Sequence, residues 1–250
     1  MESSKWLAIR RRLPAPVINL YCFAHAGGSP GEYVIWGDQL SGVQVCGIKL
    51  PGRAQRWKES PLRRMTELVD ALITEVKFEQ PFALFGHSLG GLVAFEVARA
   101  LRDRGLPQPV ELLISSSPPP PLPTRSTLVH TWPDDEFQAE TERRWGELPE
   151  RVRQDPKLLS LSLNTLRSDV EIFETYRHCP GDPLAVPITA LVGDEERQEL
   201  RTDAWREHTT GEFALHSFPG GHFYLRPQRE QLLRVIAHSL SNKQIVRPAL

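Results

Sequence analysis

Strand-like and helix-like segments alternate along this chain, which predicts an α/β fold: a mostly parallel central sheet flanked by helices. The strand signals are short, apolar, β-rich runs at Val17 to Phe23, Val43 to Leu50, Phe82 to Phe85, Val110 to Ser115, Ile188 to Val192 and Phe213 to Phe218. The helix signals lie between and after them. Leu62, Met65, Leu68, Val69, Leu72, Ile73 and Val76 recur at helical spacing and form one apolar stripe. Leu92, Val93, Phe95, Val97, Ala98 and Leu101 follow in a helix-favouring run, and Gln231 to Leu240 reads as a last amphipathic helix.

With 250 residues, 40% of them hydrophobic, the chain suits one globular domain with a sizeable core spanning positions 1–250. Thirty Lys and Arg against 31 Asp and Glu leave a net charge of −1, so there is no global attraction to nucleic acid or to an anionic membrane. The dense basic cluster Arg10-Arg11-Arg12 reads as a solvated segment. Cys22, Cys46 and Cys179 are odd in number, and two of them sit in strand-like runs; free thiols in a reducing compartment are expected. No C-x-x-C or H-E-x-x-H spacing occurs, so neither a metal nor another cofactor is expected. The run from Trp6 to Ile9 is too short for a signal-peptide core, and no apolar run is long enough to span a bilayer. A cytoplasmic monomer is expected, with a loosely held tail after Leu240.

The pivotal stretch is Pro81-Phe-Ala-Leu-Phe-Gly-His-Ser-Leu-Gly-Gly91. Gly86-His87-Ser88-Leu89-Gly90 fits the G-x-S-x-G nucleophile elbow, and it has the required context of strand before and helix after. Side chains at Gly86 and Gly90 would clash with the neighbouring strand and helix, and the following helix terminus favours developing negative charge on the Ser88 side. A serine nucleophile needs a base, and the base an orienting carboxylate, in the chain order Ser, acid, His for this arrangement. Among the late histidines, His222 follows the last strand in Pro219-Gly-Gly-His222, where paired glycines let the ring approach the elbow. His216 alternates within a strand, and His238 lies in a helix. Asp194, directly after Ile188 to Gly193, is the expected acid; Glu195 and Glu196 are its immediate rivals and Asp203 is further off. The end of the preceding strand offers no carboxylate before Asp134. Two amides must hold an oxyanion. Leu89 N–H follows the nucleophile, and Ala26 N–H lies in the glycine-rich loop Ala24-His-Ala-Gly-Gly-Ser-Pro30.

Positions 118–187 interrupt the alternation. They open with Pro118 to Pro121, and Asp134 to Trp145 and Pro156 to Tyr176 then read as helices. In the second, Leu159, Leu163, Leu166, Val170 and Phe173 form one stripe. A helical lid bordering an apolar pocket is expected, because the insertion begins and ends at the edge that carries the other unusual segments.

Phe23-Ala-His-Ala-Gly-Gly28, Leu50-Pro-Gly-Arg53, Gly86-His-Ser-Leu-Gly-Gly91, Gly193-Asp194 and Gly220-Gly-His-Phe223 occur in the order seen in type II thioesterases, which this chain resembles over nearly its whole length. Ala24 departs from that pattern, where proline is common. The resemblance implies an α/β-hydrolase fold. It also implies hydrolysis of acyl groups from the phosphopantetheine arm of acyl or peptidyl carrier proteins, so that aberrant or stalled units are cleared from polyketide and non-ribosomal peptide assembly lines. The nearest alternatives are a medium-chain fatty acyl thioesterase of fatty acid synthesis and a carboxylesterase. A catalytically dead relative used for binding is disfavoured by the complete set of Ser88, Asp194 and His222.

Overall fold

A computed structural model describes residues 5–122, 127–146 and 148–241. Seven strands form one sheet: β1 (Leu7–Ala8), β2 (Ile18–Phe23), β3 (Val43–Ile48), β4 (Phe82–His87), β5 (Leu112–Ser115), β6 (Ile188–Gly193) and β7 (Phe213–Phe218). Their spatial order is β1-β3-β2-β4-β5-β6-β7. All neighbours run parallel except β1, which pairs antiparallel with β3 through Leu7 and Ile48. The helices are α1 (Gly31–Val34), α2 (Met65–Glu75), α3 (Leu89–Asp103), α4 (Asp134–Trp145), α5 (Glu150–Arg153), α6 (Pro156–Thr175) and α7 (Arg229–Ser241).

Strand alternation sorts side chains into two cores. Tyr21, Phe23, Phe82, Leu84, Leu112 and Ile114 face α2 and α3. Leu20, Cys22, Ala83, Phe85 and Leu113 face the opposite side, with Tyr33 of α1 and Leu232 and Ile236 of α7. Period-two alternation within buried strands explains why the runs read as continuously apolar: both faces are covered. The chain order reverses between β2 and β4, because β3 lies on the far side of β2. The crevice beyond the carboxyl ends at such a switch point is where ligands bind in open parallel sheets, and here the loop after β2 and the elbow after β4 flank it.

The sequence expectation starts its first helix at Leu62 and does not anticipate the short α1; Arg64 is extended at φ −127° and ψ 138°, so α2 starts at Met65. Leu62 still packs on the core. The edge strand β1 lies within the short Trp6 to Ile9 run. Cys22 and Cys46 are buried, while Cys179 is exposed. Among the described residues no helix is long and apolar enough to cross a membrane. The tail expected to be loose after Leu240 has its first residue, Ser241, in α7, and its remainder, positions 242–250, lies outside the described residues, as does Pro123 of the proline-rich stretch.

Between β5 and β6 the inserted segment builds its own small core from Val129, Phe137, Leu163, Leu166 and Val170. α4 has the bounds expected from the sequence, and α6 ends at Thr175, one residue short of the expected end. Asp155 caps α6 by accepting from Lys157 and Leu158 amides at 2.9 and 3.1 Å, with Pro156 at the first helical position. The apolar stripe of α6 splits: Leu163, Leu166 and Val170 serve the small core, and Phe173 packs against the main one.

α3 crosses β2 so closely that a Cβ at Gly90 would fall on the Phe23 carbonyl. Gly90→Ala is therefore expected to force α3 and β2 apart and cost about 1–3 kcal/mol, the range of overpacked cores. Urea denaturation should show a lowered midpoint, and an unchanged midpoint would contradict this close approach.

Candidate active site

Strand β4 delivers the chain to Ser88, whose backbone sits at φ 57° and ψ −121°. A non-glycine residue there carries strain of about 1–3 kcal/mol and persists only where its surroundings over-determine it. Ser88 N–H donates to Ser115 O at 2.8 Å, and Ser88 O accepts from Gly91 N at 3.0 Å. Beneath the turn His87 is fully buried. Its Nδ1 lies 2.9 Å from Ser115 Oγ, which lies 2.8 Å from Tyr224 OH. Burial, reinforced by the neighbouring His222, pushes the His87 imidazole well below the ordinary histidine range, so it stays neutral.

His222 follows β7, as the sequence predicts, and lines the same cavity as Ser88. Its Nδ1 lies 2.9 Å from Glu196 Oε2, with both side chains about 15% exposed (16% and 14%). A carboxylate at Nδ1 favours the tautomer protonated there and leaves the Nε2 lone pair available as a base. This differs from the expected partner. Asp194 is exposed, and its Oδ1 accepts the Gly220 N–H at 3.0 Å. A reverse turn at the end of β6, closed by Glu196 N to Gly193 O at 3.2 Å, carries the chain away from the strand direction. It brings the third acid of Asp194-Glu195-Glu196 to the imidazole. Asp194 instead staples the loop that bears His222, aided by Asp194 N to Phe218 O at 2.9 Å. The other candidates lie elsewhere. His208 contacts Pro120 O at 2.8 Å, His216 is exposed on the edge strand β7, His238 is in α7, and Asp203 pairs with Arg197.

The loop after β2 forms a tight turn, with Gly28 N donating to His25 O at 2.9 Å. Gly27, its third residue, has φ +71°, which matches a type II turn and explains the glycine. Gly27 N donates to Asp169 Oδ2 at 2.7 Å. The Gly27 and Gly28 amides are engaged in this way, and Ala26, the expected oxyanion donor of this loop, lines the cavity. Leu89 opens α3, so its N–H is a first-turn donor without an intrahelical acceptor. His25 is held neutral, its pKa lowered to about 4 chiefly by burial, despite Glu32 nearby. Its Nδ1 lies 3.2 Å from Tyr33 OH.

Over these groups opens a cavity of about 1400 Å³. One wall is apolar, made by Leu158, Leu161, Leu166, Val170 and Phe173 of α6. Arg226, paired with Glu32 at 2.7 Å and lying 4.2 Å over the Phe223 ring, stands at the His222 side. The arrangement can generate an alkoxide-like nucleophile, hold an oxyanion and accommodate a largely apolar group.

The thioesterase domain family matches residues 18–240 of this chain. Thioesterase PikA5 of Streptomyces venezuelae is 39% identical over 96% of this chain and 87% of its own length. The gramicidin S biosynthesis protein GrsT of Aneurinibacillus migulanus is 32% identical over 96% of this chain and 95% of its own. Among solved structures, the type II thioesterase BorB from the borrelidin biosynthetic cluster aligns with a TM-score of 0.84 at 38% identity, covering 96% of this chain and 99% of that one. The sheet order, the elbow and these likenesses agree on an α/β-hydrolase fold, and the chain belongs to the thioesterase domain family, as a hydrolase of thioester bonds.

Proposed function

We propose that this enzyme removes acyl groups from the phosphopantetheine arm of carrier proteins, clearing aberrant or stalled units from a polyketide or non-ribosomal peptide assembly line, by a Ser88–His222–Glu196 triad. The observation that carries this is the strained Ser88 sharing one cavity with a His222 whose Nδ1 is engaged by a carboxylate. The assembly-line setting is supported by the likeness to PikA5, GrsT and BorB.

In the first half-reaction Ser88 Oγ bonds to the thioester carbonyl carbon as His222 Nε2 takes its proton, and Glu196 stabilises the imidazolium. Ala26 and Leu89 amides hold the oxyanion. The C–S bond then breaks and the sulfur leaves with the proton from His222. A thiol with a pKa of about 8.5, by analogy with cysteine, needs less protonation than an amine would. Water next gives a proton to His222 and adds to the Ser88 ester. Collapse returns the proton to Ser88 Oγ and releases the carboxylic acid. The insertion acts as a lid, and the α6 wall receives the acyl chain, which is where chain-length preference would be set.

Ser88→Ala is expected to reduce hydrolysis of acyl-loaded carrier protein by at least about 10⁴-fold while leaving the circular dichroism spectrum unchanged. Activity within tenfold of wild type would end the assignment. Glu196→Gln is expected to lower kcat by about 10³- to 10⁴-fold, whereas Asp194→Asn should lower thermal stability with kcat changed less than about tenfold. The reverse ranking would return the acid role to Asp194. Mass spectrometry of a panel of acyl-loaded carrier proteins, beside acyl-coenzyme A and a p-nitrophenyl ester, separates the editing role from a fatty acyl thioesterase or a carboxylesterase. Preference for the oxygen ester would favour the carboxylesterase.

A further inference from the structure

Asp169 is a carboxylate buried to 1% exposure on α6, within the run Leu166-Arg-Ser-Asp-Val170. Burying an ionised group this far is costly unless it is paired and hydrogen-bonded. Arg53, from the Leu50-Pro-Gly-Arg53 loop after β3, forks onto it, with Nη1 to Oδ2 at 2.8 Å and Nη2 to Oδ1 at 2.6 Å. Two further bonds tie this ion pair to the turn after β2: Gly27 N donates to Asp169 Oδ2 at 2.7 Å, and Arg53 Nη1 donates to Gly28 O at 3.2 Å. α6 also packs directly on the turn. A Cβ at Gly27 would lie 3.2 Å from Leu166 Cδ1. One turn earlier on α6, Thr165 Oγ1 lies 3.0 Å from Gly52 O of the Arg53 loop.

We infer that Asp169, held by Arg53, is a positioning residue that fixes the conformation of the oxyanion turn His25–Gly28 and so aims the Ala26 amide. The inference rests on the proposed role of Ala26. The central Ala26–Gly27 peptide is the one that flips between type I and type II turns. Its N–H is the group Asp169 accepts, so a flip would break a charge-assisted bond and strand a buried carboxylate lone pair. The preceding His25–Ala26 peptide, which carries the Ala26 N–H, is oriented by the turn-closing bond from Gly28. Asp169 touches neither substrate nor nucleophile in this scheme. Its effect is on how well an oxyanion donor is preorganised.

The test uses the full-length enzyme with a propionyl-N-acetylcysteamine thioester and a trifluoromethyl ketone, whose adduct with Ser88 carries an oxyanion. The double variant Arg53→Met/Asp169→Leu replaces the ion pair by apolar groups, a change that buried pairs often tolerate in stability. It is expected to lose at least about tenfold in kcat, approaching the about 10²- to 10³-fold of a deleted oxyanion donor. KM should stay within about threefold, and ketone affinity should fall in parallel with kcat. Asp169→Asn keeps a carbonyl oxygen for Gly27 N–H and is expected to fall between wild type and the double variant, with an unshifted pH profile. If the double variant does not fold, Asp169→Asn carries the test on the same two readouts. Unchanged kcat and ketone affinity in a folded variant would overturn the inference, as would a loss confined to KM or a displaced pH profile. Ser88→Ala separates the two levels. If Ser88→Ala is inactive while the Asp169 variants match wild type, only the positioning role falls; if Ser88→Ala is active, the triad itself is wrong.

Discussion

Ser88 holds a backbone conformation that a residue with a Cβ avoids, and it does so because the elements on either side cannot yield. Strand β4 is buried on both faces, and α3 begins one residue later and lies against the Phe23 carbonyl. Relaxing the turn would separate a helix from a sheet at their closest approach and expose part of two cores, which costs far more than the strain of one residue. The place of Ser88 at the cavity wall is thus a product of packing. The groups around it are then arranged relative to a fixed point: Leu89 N–H by the start of α3, the His222 loop by the end of β7, and the Ala26 turn by the end of β2.

Helix α6 joins the insertion to this machinery. Its apolar side walls the cavity, while its buried Asp169 is bonded to the loops after β2 and β3. A helix whose charged residue is neutralised by another element has little freedom to slide, because any shift separates a buried ion pair. α4 and α5 contribute Arg144, Trp145 and Val152 to the lining of the same cavity. The neutral state of His25 and His87 has a related consequence. In the proposed mechanism an imidazolium on His222 would not face two further cations, and Glu196 is the carboxylate at its Nδ1.

Much of this was legible along the chain. The alternating runs located each parallel strand: β2 to β6 are buried along their length and read as largely apolar runs, while β7 at the edge is partly exposed and was marked by its β-rich composition. The G-x-S-x-G motif located the elbow because close approach of α3 to β2 and β4 leaves room for little else. His222 stood out by its place after the last strand, and the α6 stripe by its spacing. What escaped were features set by one local turn or by distant partners. The edge strand β1 is two residues long and exists only through its pairing with β3. Which carboxylate meets His222 depended on how the chain bends after Gly193, and three adjacent carboxylates give no hint of which one turns inward. Asp169 looks in sequence like an ordinary polar residue of an amphipathic helix.

The order of elements, the position of the elbow and the place of His222 after the last strand thus follow from residue pattern by itself, because hydrophobic periodicity and the steric needs of an elbow are local properties of the polymer. The pairing of Glu196 with His222, and of Arg53 with Asp169 across 116 positions, was decided only when the loops converged. An ion pair records a distance in space, and nothing in the spacing of charges along a chain encodes which of several carboxylates a folded loop will bring within 3 Å of its partner.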